Sequence, residues 1–208
     1  MKKLFIIFVC FISCNIFALE TETFITGAYS YCLFTEKAND SITKIFSNAC
    51  DLSISAYINQ SNVGFYLNTE YIFPDVLSAT IDGNTVSSTS DDYDLASIIS
   101  AIIGITYKYD FGLYNIFGAA GLSFNQTGLA NDYMALLNYS LGLGGDIGLR
   151  LIPTKYMYIT LGSVFSYDFY YNGSLTTAYD EINKSGKYDF TSIRPYIGIG
   201  FRFREDMK

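Results

Sequence analysis

The 208-residue sequence contains no histidine and no tryptophan, only three prolines, and few charges: 16% of its residues are Asp, Glu, Lys or Arg. The missing histidine excludes Ser-His and Cys-His nucleophile pairs, imidazole acid–base chemistry and His-ligated metal centres. The scarcity of charge, beside 50% hydrophobic and 17% aromatic residues, argues against intrinsic disorder. The formal charge is −7, from 13 basic and 20 acidic residues, which argues against duplex nucleic acid as a partner. Beyond residue 18 there is no uninterrupted apolar run of the length a transmembrane helix needs. The length suits one domain.

Residues 1–18 have the form of an export signal. Lys2 and Lys3 precede an apolar run from Leu4 to Ile12, and Ala18 offers a small residue at a cleavage point, although Ile16 is bulky for the −3 position. A rival arrangement uses Phe11, Ile12, Ser13 and Cys14 as a loose lipoprotein box with lipidation at Cys14. Cleavage after Ala18 leaves residues 19–208, with 11 basic and 20 acidic residues and a net charge of −9. Of the four cysteines only Cys32 and Cys50 remain, and an exported pair can form a disulfide. Strict alternation places Cys32 and Cys50 on opposite faces, which opposes a simple cross-strand bridge, but irregular geometry at the base of the first long loop allows one, and the bond is the favoured reading.

The remainder of the chain alternates with period two. Ile197, Ile199, Phe201 and Phe203 lie on one face of the last segment, and Tyr196, Gly198, Gly200 and Arg202 on the other. Leu137, Tyr139, Leu141, Leu143, Ile147 and Leu149 alternate in the same way with Asn138, Ser140, Gly142, Gly144, Asp146, Gly148 and Arg150. The pattern predicts eight strands, near 23–34, 50–60, 63–73, 95–109, 113–125, 135–151, 156–170 and 188–203. The strand at 95–109 is less regular, because Ile98, Ile99, Ile102 and Ile103 put apolar residues on both faces. Gln60-Ser61-Asn62, Asp110-Phe111-Gly112 and Pro153-Thr154-Lys155 read as tight turns. Segments 35–49, 74–94, 126–134 and 171–187 read as longer polar loops. Short turns on one side and long loops on the other predict an all-β, eight-stranded antiparallel up-and-down transmembrane barrel, with both termini on the short-turn side.

A soluble barrel that binds an apolar ligand in its interior shows the same alternation with the oily face inward. Lipid outside is favoured on three counts. The non-apolar face is rich in glycine and serine. Its charges, Glu70, Lys108, Asp146, Arg150, Asp168, Arg194 and Arg202, can pair across a small lumen. Phe34, Tyr71, Phe73, Tyr107, Tyr109, Tyr156, Phe169 and Tyr170 gather near strand ends as interfacial girdles do. The inward charges read either as a static salt-bridge network or as a gate in which three arginines exchange carboxylate partners; the static network is preferred.

The stretch Tyr196 to Phe203 resembles the C-terminal assembly signal of bacterial outer-membrane barrels, with Tyr196, Gly198, Phe201 and Phe203 at the matching positions; the tail from Arg204 to Lys208 departs from it. With the export signal and eight alternating segments, residues 19–208 resemble the small eight-stranded barrels related to the OmpA membrane domain, OmpX and OmpW. The resemblance implies outer-membrane lipid and the barrel-assembly machinery as partners, residence in the outer membrane of a diderm bacterium, and no cofactor. It implies a non-enzymatic protein, since barrel lipases, acyltransferases and proteases commonly use a histidine. The expected role is envelope structure or loop-mediated contact with an extracellular ligand or host surface. The alternative is a narrow channel or lateral-opening transporter for small or hydrophobic solutes. Loop 74–94 carries Asp75, Asp82, Asp91, Asp92 and Asp94, but no EF-hand spacing, and reads as a solvated loop ahead of a calcium site.

Overall fold

The computed structural model describes residues 20–38, 41–60, 62–81, 84–89, 92, 94–177, 181–186 and 189–206; residues 1–18, expected to be an export signal, lie outside them. Among the described residues ten strands follow in chain order: β1 Glu20–Ala38, β2 Ser41–Gln60, β3 Val63–Ile81, β4 Asn84–Thr89, β5 Leu95–Asp110, β6 Tyr114–Asn131, β7 Met134–Leu151, β8 Met157–Thr177, β9 Glu181–Gly186 and β10 Asp189–Asp206. All pairings are antiparallel. Eight strands close on themselves in the order β1-β2-β3-β5-β6-β7-β8-β10, with β10 returning to β1 from Glu20↔Asp206 to Lys37↔Asp189. Closure satisfies the need of a bilayer-spanning sheet to pair its backbone groups internally.

The apolar face points outward. Ile103 and Ile105 are 62% and 63% exposed, and Leu52, Phe65, Leu143, Leu161, Ile197 and Ile199 are exposed with them. The inner face carries Glu22, Ser55, Asn68, Glu70, Lys108, Asp146, Arg150, Asp168 and Arg194, all buried. This polarity overturns the soluble-barrel alternative, because water would have to cover the oily belt. It also resolves the irregular β5: Ile98 and Ile102 point in, whereas Ile103 points out.

The predicted short turns lie at one end, with both described chain ends. Gly112 has φ +82°, a left-handed conformation that a Cβ disfavours. Phe111 N donates to Tyr114 O at 2.7 Å across that turn. In the third turn Thr154 Oγ1 accepts from Met157 N at 3.0 Å.

The opposite end departs from the prediction. Segments expected as polar loops are strand: β1 runs to Ala38, β6 and β7 extend to Asn131 and Met134, and β8 continues to Thr177. The barrel strands are 16 to 21 residues long, well beyond the roughly 9–11 that cross a bilayer, so their walls rise above the apolar belt. Along this rim the cylinder divides. β3 pairs with β5 only as far as Ile72↔Ile98, and from Val76 onward its partner is β4. β8 pairs with β10 only as far as Asp168↔Phe190, and from Tyr171 its partner is β9. The rim is therefore two curved sheets, β10-β1-β2-β3-β4 and β5-β6-β7-β8-β9, that share no ladder above those points among the described residues.

Two register shifts and a proline shape the wall. Asp75 bulges out between Ala49↔Pro74 and Asn48↔Val76, a setting in which Pro74 needs no ladder donor. Phe169 bulges between Leu141↔Tyr170 and Gly142↔Asp168, so Phe169 and Tyr170 both face outward. Tyr71, Phe73, Phe169 and Tyr170 ring the outer end of the belt, and Tyr107, Tyr109 and Tyr156 the inner end. Phe34 is a correction: it turns into the barrel, packs on Cys32, Ala49, Ile72 and Ile98, and stacks on Phe190 with ring centroids 5.7 Å apart.

The candidate disulfide is also corrected. Cys32 and Cys50 are both free thiols. Cys32 is inside the barrel opposite Ser47, and Cys50 faces out beside Tyr29. The two thiols are on opposite sides of the wall, as period-two geometry requires. We expect thiol titration of the unfolded chain freed of residues 1–18 to give two thiols with or without prior reductant. In folded protein an apolar maleimide should label Cys50 and spare Cys32; labelling in the reverse order would contradict the register.

Candidate functional site: a plugged lumen below an apolar vestibule

The inward residues fill the lumen in tiers. At the short-turn end Glu22, fully buried, is bonded by both Lys108 and Arg202, with Arg204 at 3.9 Å. Asp110 lies 3.8 Å from Lys108 and accepts from Asn115 Nδ2 at 2.7 Å. Two acids thus meet three cations where the lumen opens to the short-turn side.

Above this lies a layer of rings. Phe24 meets Tyr57 and Tyr158 edge-on, with centroids 5.3 and 5.0 Å apart, and Tyr57 meets Phe117 at 6.1 Å. The Arg150 guanidinium sits over this layer, 3.8 Å from the Phe117 centroid and 4.1 Å from Phe24, and donates to Tyr57 Oη. A desolvated cation over ring faces gains about 2 kcal/mol. Inward glycines make room for the layer and its neighbour Tyr196. A Cβ at Gly148 would come within 2.7 Å of Phe117, one at Gly200 within 2.7 Å of Tyr158, and one at Gly162 within 2.6 Å of Tyr196.

Asp146 is held by two tyrosines, accepting from Tyr66 Oη at 2.6 Å and Tyr196 Oη at 3.1 Å. Farther out, Arg194 pairs with Glu70, which also accepts from Asn68 Nδ2 at 2.8 Å. Asp168 is fully buried and accepts from Ser123 at 3.0 Å, Asn125 at 3.0 Å and Ser140.

The seven predicted lumen residues all point inward, but they do not form one network. Arg194 with Glu70 is the only pair among them that joins arginine to carboxylate as expected. Arg202 and Lys108 converge on Glu22, a residue just outside the predicted first strand. Arg150 binds rings, Asp146 binds tyrosines, and Asp168 binds hydroxyl and amide groups. Three arginines exchanging partners among Glu70, Asp146 and Asp168 is not an arrangement these positions support. The Tyr57, Phe24, Phe117 and Tyr158 layer carries no signal in the sequence beyond inward parity.

At the rim end the polar floor gives way to an apolar vestibule of about 90 Å³. Phe34, Pro74 and Phe190 line it from one sheet of the divided rim, and Ile98, Leu129, Leu136 and Tyr171 from the other. Of the acidic loop residues, Asp75, Asp92 and Asp94 are exposed, Asp82 and Asp91 lie outside the described residues, and among the described residues no cluster of metal-ligating side chains forms.

Neither a family model nor a curated protein matches the sequence. Solved structures do match the fold. The outer membrane protein OprG from Pseudomonas aeruginosa aligns over 89% of this chain and 97% of its own, at 12% identity and a TM-score of 0.55. Neisserial surface protein A aligns over 89% and 97%, at 14% identity and a TM-score of 0.51. A major outer membrane protein from Thermus thermophilus aligns over 88% and 99%, at 12% identity and a TM-score of 0.50. At these identities the similarity is one of fold. With its outward apolar belt, the chain is a small closed eight-stranded β-barrel of the kind found in bacterial outer membranes.

Proposed function

We propose that this chain is a non-enzymatic surface barrel, exported by its first 18 residues, whose lumen is closed to ions and whose work is done at the outer rim. The observation that carries this reading is the ring layer under Arg150, which seals the lumen between the Glu22 cluster and the Glu70–Arg194 pair. The absence of histidine supports a non-catalytic role. Tyr196, Gly198, Phe201 and Phe203 on β10 act, in this reading, as the signal by which the assembly machinery takes up the chain. The extended rim offers the contact surface for an extracellular ligand or host component. Planar-bilayer recordings test the closure. Refolded protein, shown to be folded by β-type circular dichroism and by a migration shift on boiling, should insert without discrete conductance steps. Steps absent from protein-free controls would overturn it.

A second reading rests on the vestibule. Its walls are mostly apolar, with Asn125, Thr127, Asn138 and Ser140 among them, and belong to two sheets that are unjoined above Ile72↔Ile98 and Asp168↔Phe190, beside the outer aromatic ring. An apolar solute then has a sideways route between vestibule and outer leaflet. An environment-sensitive apolar dye should brighten on binding, and Leu129→Glu, which puts a charge in the wall, should abolish the signal. Equal dye binding by the variant would remove this reading.

A further inference from the structure

The middle of the barrel contains a void of about 20 Å³, between the Arg150 tier and the Glu70–Arg194 pair. Four side chains that border it come from four strands: Asp51 on β2, Asn68 on β3, Arg150 on β7 and Thr160 on β8. All four are more than nine-tenths buried. Each brings at least one buried polar atom with no protein partner: Asp51 Oδ1, Asn68 Oδ1, Thr160 Oγ1, and both Nε and Nη1 of Arg150. A buried polar group without a partner bears its full desolvation cost, and native interiors rarely leave one so. Five such atoms on four residues that border one small void point to a shared ligand.

We propose that this void is a water site, in which one or two ordered waters accept from Arg150 and donate to Asp51 and Asn68. The donor set selects the ligand. Arg150 offers only N–H groups, whereas Asp51 and Asn68 present lone pairs. A bare anion would meet those lone pairs, and a bare cation would meet the guanidinium. Water donates and accepts at once, and Thr160 Oγ1 can serve either way. The size agrees: a water needs roughly 10–15 Å³ and two to four polar partners.

Hydration also accounts for the odd standing of Arg150. Arg194 has Glu70 and Arg202 has Glu22, while the protein partners of Arg150 are rings and one phenol. Water bound to Nε and Nη1 gives these N–H groups the acceptor that a carboxylate gives the other arginines. A smaller void of about 10 Å³ borders Arg194, whose Nε is likewise unpartnered, and shares Phe34, Ile98 and Asn125 with the vestibule. The rings of Phe24, Tyr57, Phe117 and Tyr158 close the lumen below. The ring layer thus separates the hydrated void from the charged tier at the short-turn end.

Crystals of the refolded protein, soaked in rubidium chloride and diffracting well enough to show ordered water, test the assignment. The expected result is solvent density within hydrogen-bond distance of Arg150 and of Asp51 or Asn68, with no anomalous rubidium signal there. An empty void would overturn the proposal, and so would a rubidium peak, which would make this a cation site. In solution, the Thr160 methyl should show magnetisation transfer from water in protein refolded in micelles, at a level the buried methyl of Ala119 does not reach. Equal, baseline transfer at both methyls would count against bound water.

Discussion

Arg194→Ala should destabilise the folded barrel by about 3–5 kcal/mol, the range for breaking a buried ion pair by removing one partner. The size follows from what is left behind. Glu70 is 7% exposed, and without Arg194 its remaining contact is Asn68 Nδ2 at 2.8 Å. The carboxylate would then be a nearly unpaired charge in a narrow lumen. Replacing both partners together, Glu70→Leu with Arg194→Met, should recover most of the loss, because no orphan charge remains. Urea unfolding in detergent, followed by circular dichroism, gives both numbers. A loss under about 1 kcal/mol for Arg194→Ala, the scale of a solvated surface pair, would mean that bulk water screens the site. A double variant no better than the single one would show that packing by the arginine stem, not charge pairing, holds the tier.

Removal of the rings should act on permeability instead. Phe24 and Phe117 sit under Arg150 with their ring centroids 4.1 and 3.8 Å from its guanidinium carbon, and both are buried to within 1%. Phe24→Ala with Phe117→Ala deletes the apolar part of the layer and frees Arg150 from its seat. Each change should also cost about 3–5 kcal/mol in stability, so the recordings need the folded fraction, selected by the migration shift. The expected outcome is discrete conductance where the unaltered barrel is silent. The Glu70→Leu, Arg194→Met protein, with its rings intact, should stay silent. A silent ring variant would place the barrier at the Glu22 cluster. Conductance from the ion-pair variant would place it at Glu70 and Arg194, and the ring layer would lose its role as the seal.

The closed eight-stranded form is legible because lipid imposes a strict rule on every second residue. Ile197, Ile199, Phe201 and Phe203 alternate with small or polar neighbours, and the structure puts them outside. Above the belt that rule lapses. Above the belt no lipid faces β2, β3 and β8, so Thr43, Ser78 and Asn172 occur in strand without any oily alternation to mark them. For this reason the rim reads as loops, and the sequence carries no sign of β4 and β9. Phe34 misleads for a related reason: an aromatic near a strand end suits an interface, but Cys32, Ala49, Ile72 and Ile98 give it an apolar seat inside.

The site is legible only in part. Parity tells which charges face the lumen, since it is a property of one strand. Which charges meet is a property of the closed cylinder and depends on stagger between strands far apart in sequence. Glu22 and Arg202 are neighbours only because β1 closes on β10. The glycines at 148, 162 and 200 read simply as small residues. Their meaning, as room for Phe117, Tyr196 and Tyr158, emerges only once facing strands are in register.

The division of the rim has an engineering consequence. β4 and β9 are each zipped to a single neighbour and take no part in closing the cylinder. They are detachable modules on a finished frame. Trimming Asn84–Thr89 or Glu181–Gly186, or splicing a foreign peptide in their place, leaves all eight closing ladders untouched. The chain can thus serve as a display scaffold whose cargo changes while its anchor does not.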